Sequence, residues 1–224
     1  MNVKINDMKK YDVHVLLPKD GVVLDLQKDE RLYFLAGPIR GAKGGYGAWQ
    51  SRAIKFLAKE DPGCIVVCPC RWGPKNMWYK YRIEPQTKFE DPSKPLMPFA
   101  NQTLWERYYL AMASYYGSII FWLPEESKTV PRLKKDGPYA QDTYGELGRW
   151  SIKSAHPGTF SFQQAEGKPR RVNLIVGAEP KFPGLLTIKK NYSDDHGYEF
   201  PLWYDLETTI VRAVHKARKI GLET

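Results

Sequence analysis

The feature that most constrains this chain is an alternation. Short apolar runs of strand length stand at residues 31–37, 64–70, 118–123 and 172–177, and segments of helical period lie between or after them. Residues 48–59 carry Trp49, Ala53, Phe56 and Leu57 at helical spacing. Residues 103–116 and 143–154 read as two further helices, and 203–220 closes the chain with Leu206, Ile210, Val214 and Ala217 on one face. Strands alternating with helices imply parallel βαβ units with right-handed crossovers. Continuous apolar strands fit a sheet buried on both faces. The expected fold is therefore α/β: a doubly wound, flavodoxin- or Rossmann-like, mainly parallel five-stranded sheet with helices on both faces. Residues 11–26 read as an N-terminal hairpin around Lys19-Asp20-Gly21. The five prolines within 71–100 mark a long ordered excursion, and 156–171 a polar loop. One domain spans 1–224, with its core at about 31–182.

In such a sheet, ligands sit beyond the carboxyl ends of the strands. Those ends are Ala36-Gly37-Pro38, Pro69-Cys70-Arg71, Leu123-Pro124 and Gly177-Ala178. Composition narrows what binds there. The formal charge is +9, which favours anionic partners. Nucleic acid is one of them, but the basic clusters at 132–135, 168–171 and 212–219 are scattered, and nucleic acid is not favoured. No apolar run is long enough to span a bilayer, and the first ten residues have no signal-peptide character, so a cytoplasmic protein without a membrane partner is expected. Cys64, Cys68 and Cys70 crowd one strand; an odd number and no second pair point to buried thiols rather than zinc. No metal and no cofactor is expected. The histidines form no metal pair, and no Gly-x-Ser-x-Gly elbow exists.

Two features carry chemistry. The glycine-rich stretch 41–47 leaves a strand and enters a helix, a setting for anion binding by backbone N–H groups, with Arg40 and Lys43 beside it; a plain surface loop is the alternative. Thr143-x-x-Glu146 and Thr103-x-x-Glu106 each open a helix. Both spell the capping box, so each glutamate either caps its own helix or acts as one of a pair of carboxylates on a glycosidic bond. In the second reading Glu146 lies on the first helical turn, where the helix dipole keeps it ionised as a nucleophile.

Taken together, these residues resemble the nucleoside 2-deoxyribosyltransferase-like superfamily. The resemblance rests on Tyr33-Phe-Leu-Ala-Gly-Pro-Ile-Arg-Gly41, Trp49-Gln50, Gln102-x-x-Trp-Glu106, the strand 118–124, Thr143-x-Gly-Glu-Leu-Gly148 and Val176-Gly-Ala-Glu-Pro180. It implies a glutamate nucleophile, Glu146, that forms a glycosyl-enzyme on cleaving the N-glycosidic bond of a nucleoside or nucleotide. It implies Tyr33, or its neighbour Phe34, as the residue orienting that nucleophile. Asp142 would hold or protonate the nucleobase, and Glu106 would hold a sugar hydroxyl or the base. Gly37, Pro38, Ile39, Arg40, Gly41, Trp49 and Gly145 would bind substrate, and a nucleobase would accept the sugar. A homo-oligomer is implied as well.

The match departs in several places. Only Asp142 stands where many transferases carry an Asp-rich segment before the glutamate, and Gly117 stands where an aspartate often precedes the strand. The insert 71–100, the loop 156–170 and the C-terminal extension are larger than the minimal fold needs. Gly37-Pro-Ile-Arg-Gly41 has Pro38 where a sister branch, the nucleoside 5′-monophosphate N-glycosidases, has serine. That branch implies hydrolysis of a phosphorylated substrate in place of sugar transfer. A non-catalytic nucleotide-binding module on the same scaffold is the third reading.

Overall fold

The computed structural model describes residues 13–18, 31–70, 101–155 and 172–220. Six strands form one sheet: β1 (Val13–Leu16), β2 (Leu32–Ala36), β3 (Cys64–Val67), β4 (Gly117–Leu123), β5 (Leu174–Ala178) and β6 (Leu202–Trp203), in the order β1-β3-β2-β4-β5-β6. Every pairing is parallel. Among the described residues, five α-helices connect or flank them: α1 (Ala48–Glu60), α2 (Gln102–Tyr116), α3 (Gln141–Ala155), α4 (Leu185–His196) and α5 (Leu206–Ile220).

The alternation along each strand divides the core into two layers. Leu32, Phe34, Ile119, Phe121 and Val176 face α2, α3 and α4, where Trp105, Tyr109, Leu147, Trp150 and Tyr192 meet them. Tyr33, Leu35, Ile120, Trp122 and Ile175 face α1 and α5, packed on Trp49, Ile54, Leu57, Ile210 and Val214. The expected doubly wound α/β architecture is therefore present, and the predicted α5 stripe is buried. All seven residues of β4 are buried, as its central place requires.

Several details differ from expectation. Among the described residues the sheet has six strands, not five. Val13–Leu16 does not turn back on itself within the described residues; it adds to the sheet edge in parallel beside β3, so a local hairpin does not account for it. The rest of the predicted hairpin lies outside the described residues, as do the excursion 71–100 and the loop 156–171. The closing helix starts at Leu206, not 203, because Asp205 takes the backbone N–H of Thr208 at 2.7 Å and caps it, leaving Leu202–Trp203 to pair with β5. Helix α4 went unpredicted; only Ile188 and Tyr192 are buried in it, too few to print a helical stripe.

The strand order fixes the site. Without β1, the order is that of a flavodoxin-like sheet, and the connections leaving β2 and β4 pass to opposite faces. A crevice opens where they diverge. Two glycines let β2 and β4 close up, Gly37 at the carboxyl end beside the crevice and Gly117 at the opposite, amino end. A Cβ on Gly37 would stand 2.1 Å from the Trp122 carbonyl oxygen, and Gly37 has φ +145°. A Cβ on Gly117 would stand 2.0 Å from the Leu32 carbonyl oxygen, so no aspartate fits at that position.

Candidate active site

A cleft of about 940 Å³ opens at the carboxyl ends of β2 and β3, with Arg132 reaching it from the loop after β4, and is walled by α2 and α3. Gly37, Pro38, Ile39 and Arg40 form its roof from the loop after β2, and Pro69 joins from the loop after β3. Glu106 enters from α2, and Asp142, Gly145 and Glu146 from α3. Eight of the residues singled out in the sequence therefore meet in one place. The carboxyl end of β5 is not part of it: Gly177 lies against Thr209 of α5.

Three other singled-out residues stand elsewhere. Tyr33 points to the α1–α5 side of the sheet, where its hydroxyl donates to Asp61 Oδ2 at 2.7 Å. Asp61 is also clamped by the guanidinium of Arg31, whose Nε donates to Oδ2 at 2.6 Å. Burial and the adjacent Asp61 push the Tyr33 phenol well above its ordinary range. Its neighbour Phe34 lines the cleft instead, without a hydroxyl. The expected orienting tyrosine is thus absent from this strand position. Trp49 is buried beneath the roof and donates from Nε1 to the Pro38 carbonyl at 2.8 Å, so it shapes the loop without reaching the cleft. Gly41 serves packing: its φ is +74°, and a Cβ would stand 2.5 Å from the Arg132 backbone nitrogen.

The glycine-rich loop uses several of its backbone donors for its own packing. The N–H groups of Lys43, Gly45 and Ala48 already donate to the carbonyls of Glu125, Ala42 and Gly45. The Lys43 ammonium lies 3.4 Å from Glu125 and 3.5 Å from Glu179. Glu179 in turn accepts the Glu125 N–H at 2.8 Å. The loop is latched to the ends of β4 and β5, and of its residues 41–47 only Tyr46 lines the cleft.

The capping readings of the two glutamates fail. Helix α2 is capped by Asn101, whose side chain accepts the Leu104 N–H at 3.0 Å, and Thr103 already lies inside the helix. Glu106 instead accepts from Gln102 Nε2 at 2.6 Å, and the same amide reaches the Pro69 carbonyl at 3.0 Å. Helix α3 begins at Gln141, so Thr143 is interior and Glu146 falls in the second turn. The dipole is weak that far in. Glu146 is half-buried, and no described residue donates a hydrogen bond to it. Burial, then the charges of Glu106 and Asp142, push its carboxyl up to about 7. In place of the fully ionised carboxylate expected from the sequence, Glu146 is a carboxyl group raised toward neutrality. Asp142 itself is exposed, 3.4 Å from the Arg132 guanidinium.

The cleft also holds residues the sequence reading did not select: Arg107, Arg132, Arg149, Trp150 and Lys153, with Tyr46 and Tyr108. A signal for some of them was present. Asp142, Thr143, Glu146, Arg149, Trp150 and Lys153 follow the i, i+3, i+4, i+7 pattern of one helix face around Glu146. Among the described residues no three metal-binding side chains come together. The three cysteines are buried and free, and no described helix is long and apolar enough to cross a membrane. No protein-family model matches the chain, and no curated protein matches it.

Proposed function

We propose that the protein cleaves the N-glycosidic bond of a nucleoside or deoxynucleoside through Glu146 and passes the sugar to another base. The observation that carries this reading is the state of Glu146. It is half-buried, without a hydrogen-bond donor among the described residues, flanked by two like charges, and set in the cleft at the strand crossover. A carboxyl near neutrality is matched to work as nucleophile or proton carrier at physiological pH.

The chemistry follows from the three carboxyl groups. In the ionised form, a Glu146 oxygen attacks the anomeric carbon as the bond to the base nitrogen breaks. The bond's electron pair leaves with the base, and Asp142 or Glu106 in its acid form supplies the proton the base takes. Positive charge building on the sugar is stabilised by the carboxylates around it. The resulting ester is then opened by a ring nitrogen of the acceptor base, whose proton returns to the carboxylate that had served as the acid, and Glu146 recovers its electron pair. Arg132 holds Asp142 beside the cleft mouth, and Gln102 fixes Glu106.

A second reading is favoured by one observation. Five cationic side chains line the cleft against three carboxyl groups. This balance suits a substrate bearing phosphate, with water in place of the acceptor base. Incubating deoxynucleosides and 5′-monophosphates with and without a free second base tests both. Base exchange supports transfer; free base alone supports hydrolysis. A nucleotide that binds but undergoes neither reaction would leave a non-catalytic binding module.

A further inference from the structure

Two guanidinium groups in the cleft have nothing to do among the described residues. Arg107 and Arg149 both line it, both are exposed, and neither makes an ion pair or a side-chain hydrogen bond there. The other arginines are engaged: Arg132 donates to the Asp136 carbonyl at 2.9 and 2.6 Å, and Arg40 lies 3.7 Å from Asp136. Nor do Arg107 and Arg149 serve the reacting carboxyl, because the charges acting on Glu146 are those of Glu106 and Asp142.

Their placement is separate from the roof. Arg149 and Lys153 follow Glu146 by three and seven residues, so they stand roughly 4.5 and 10 Å further along the α3 axis. The loop carrying Arg40 stands by the start of α3, since Arg40 and Arg132 both reach Asp136 and Arg132 reaches Asp142. Lys153 sits over the Trp150 ring at 4.4 Å. Burial, then Arg149, pulls its ammonium below the ordinary lysine range. Like charges crowded on one wall of a cleft cost energy that a bound anion removes. A guanidinium group matches the oxygens of a phosphate in geometry as well as charge.

We infer that Arg107 and Arg149, backed by Lys153, form a phosphate subsite on the α2–α3 wall, so that the phosphate-bearing substrate of the second reading is held there and not at the glycine-rich loop. The inference rests on the proposed function for what lies beside Glu146, but phosphate binding is measurable without turnover.

The test is calorimetric titration of the full chain with a 2′-deoxynucleoside 5′-monophosphate and with the matching nucleoside. The parent protein binds the monophosphate at least 30-fold more tightly, on the scale of a charge-assisted pair. The double variant Arg107→Gln/Arg149→Gln loses that preference and keeps its affinity for the nucleoside. Both side chains are exposed, so the variant folds, which its thermal melt checks. A variant lacking two charges of α5 on the other side of the sheet, Arg212→Gln/Lys219→Gln, keeps the preference. The inference is overturned if the parent shows no preference, if the double variant retains it, if the α5 variant loses it, or if Arg40→Gln alone abolishes it while the double variant does not. Phosphate-dependent binding without bond cleavage would remove the enzymatic reading and leave the subsite standing.

Discussion

The carboxyl groups of Glu106 on α2 and Glu146 on α3 face the same cleft, and the charge of the first raises the pKa of the second. Together with burial and Asp142, this holds Glu146 at about 7. If the ionised form attacks, kcat/KM rises with pH through a limb near pH 7. Removing the like charge in Glu106→Gln moves that limb to lower pH. A pH–rate profile of the two proteins checks this; a limb that stays in place would mean that Glu106 does not act on the titrating group.

The same shift carries a cost in stability. A carboxyl whose folded pKa lies above its unfolded value binds more protons when folded. Its penalty is absent below about pH 4.5, grows as pH rises, and is complete above about 7, amounting to at most about 3 kcal/mol. Glu146→Gln cannot ionise. That variant should melt at a higher temperature than the parent at pH 8 and at nearly the same temperature at pH 4.5. Its turnover should fall by ~10³-fold or more. Gain of stability with loss of activity at one residue is the signature of a site held against folding.

Tyr33 separates the resemblance from the structure. Its hydroxyl satisfies the buried Asp61 on the far side of the sheet from the cleft. Tyr33→Phe should therefore cost about 1–2 kcal/mol of stability, by denaturant titration, and leave kcat within about twofold. A large loss of kcat with stability unchanged would return the tyrosine to the role the resemblance implies.

Gly37 tests the strand crossover. A Cβ there would stand 2.1 Å from the Trp122 carbonyl, in a conformation that side chains rarely adopt. Gly37→Ala should destabilise the fold by ~3 kcal/mol or more, because backbone lies on the other side and cannot yield. Gly45→Ala, which also has a positive φ but nothing within 4 Å, should cost less, on the order of 1 kcal/mol.

What was legible in the sequence was what one element decides. The buried strands and the α5 stripe follow from runs and periods within a segment, and so did the carboxylate positions. Tyr33 and Phe34 could not be told apart, because they differ only in which face of β2 each takes, and neighbours remote in sequence set that face. The capping boxes misled because the true cap of α2, Asn101, lies two residues before Thr103. The latching of the glycine-rich loop was not legible, because its partners, Glu125 and Glu179, come from two other strand ends. Arg107 and Arg149 were not legible together, since they lie on two helices, α2 and α3, that only the fold brings to one cleft.

The central claim is that Glu146 becomes covalently bonded to the sugar. Intact-protein mass spectrometry after brief mixing with deoxynucleosides and 5′-monophosphates tests it, followed by peptide mapping. The account predicts a gain of one sugar, or one sugar phosphate, on the peptide containing Glu146, absent from Glu146→Gln. Base release that persists undiminished in Glu146→Gln, or an adduct on another residue, would contradict it.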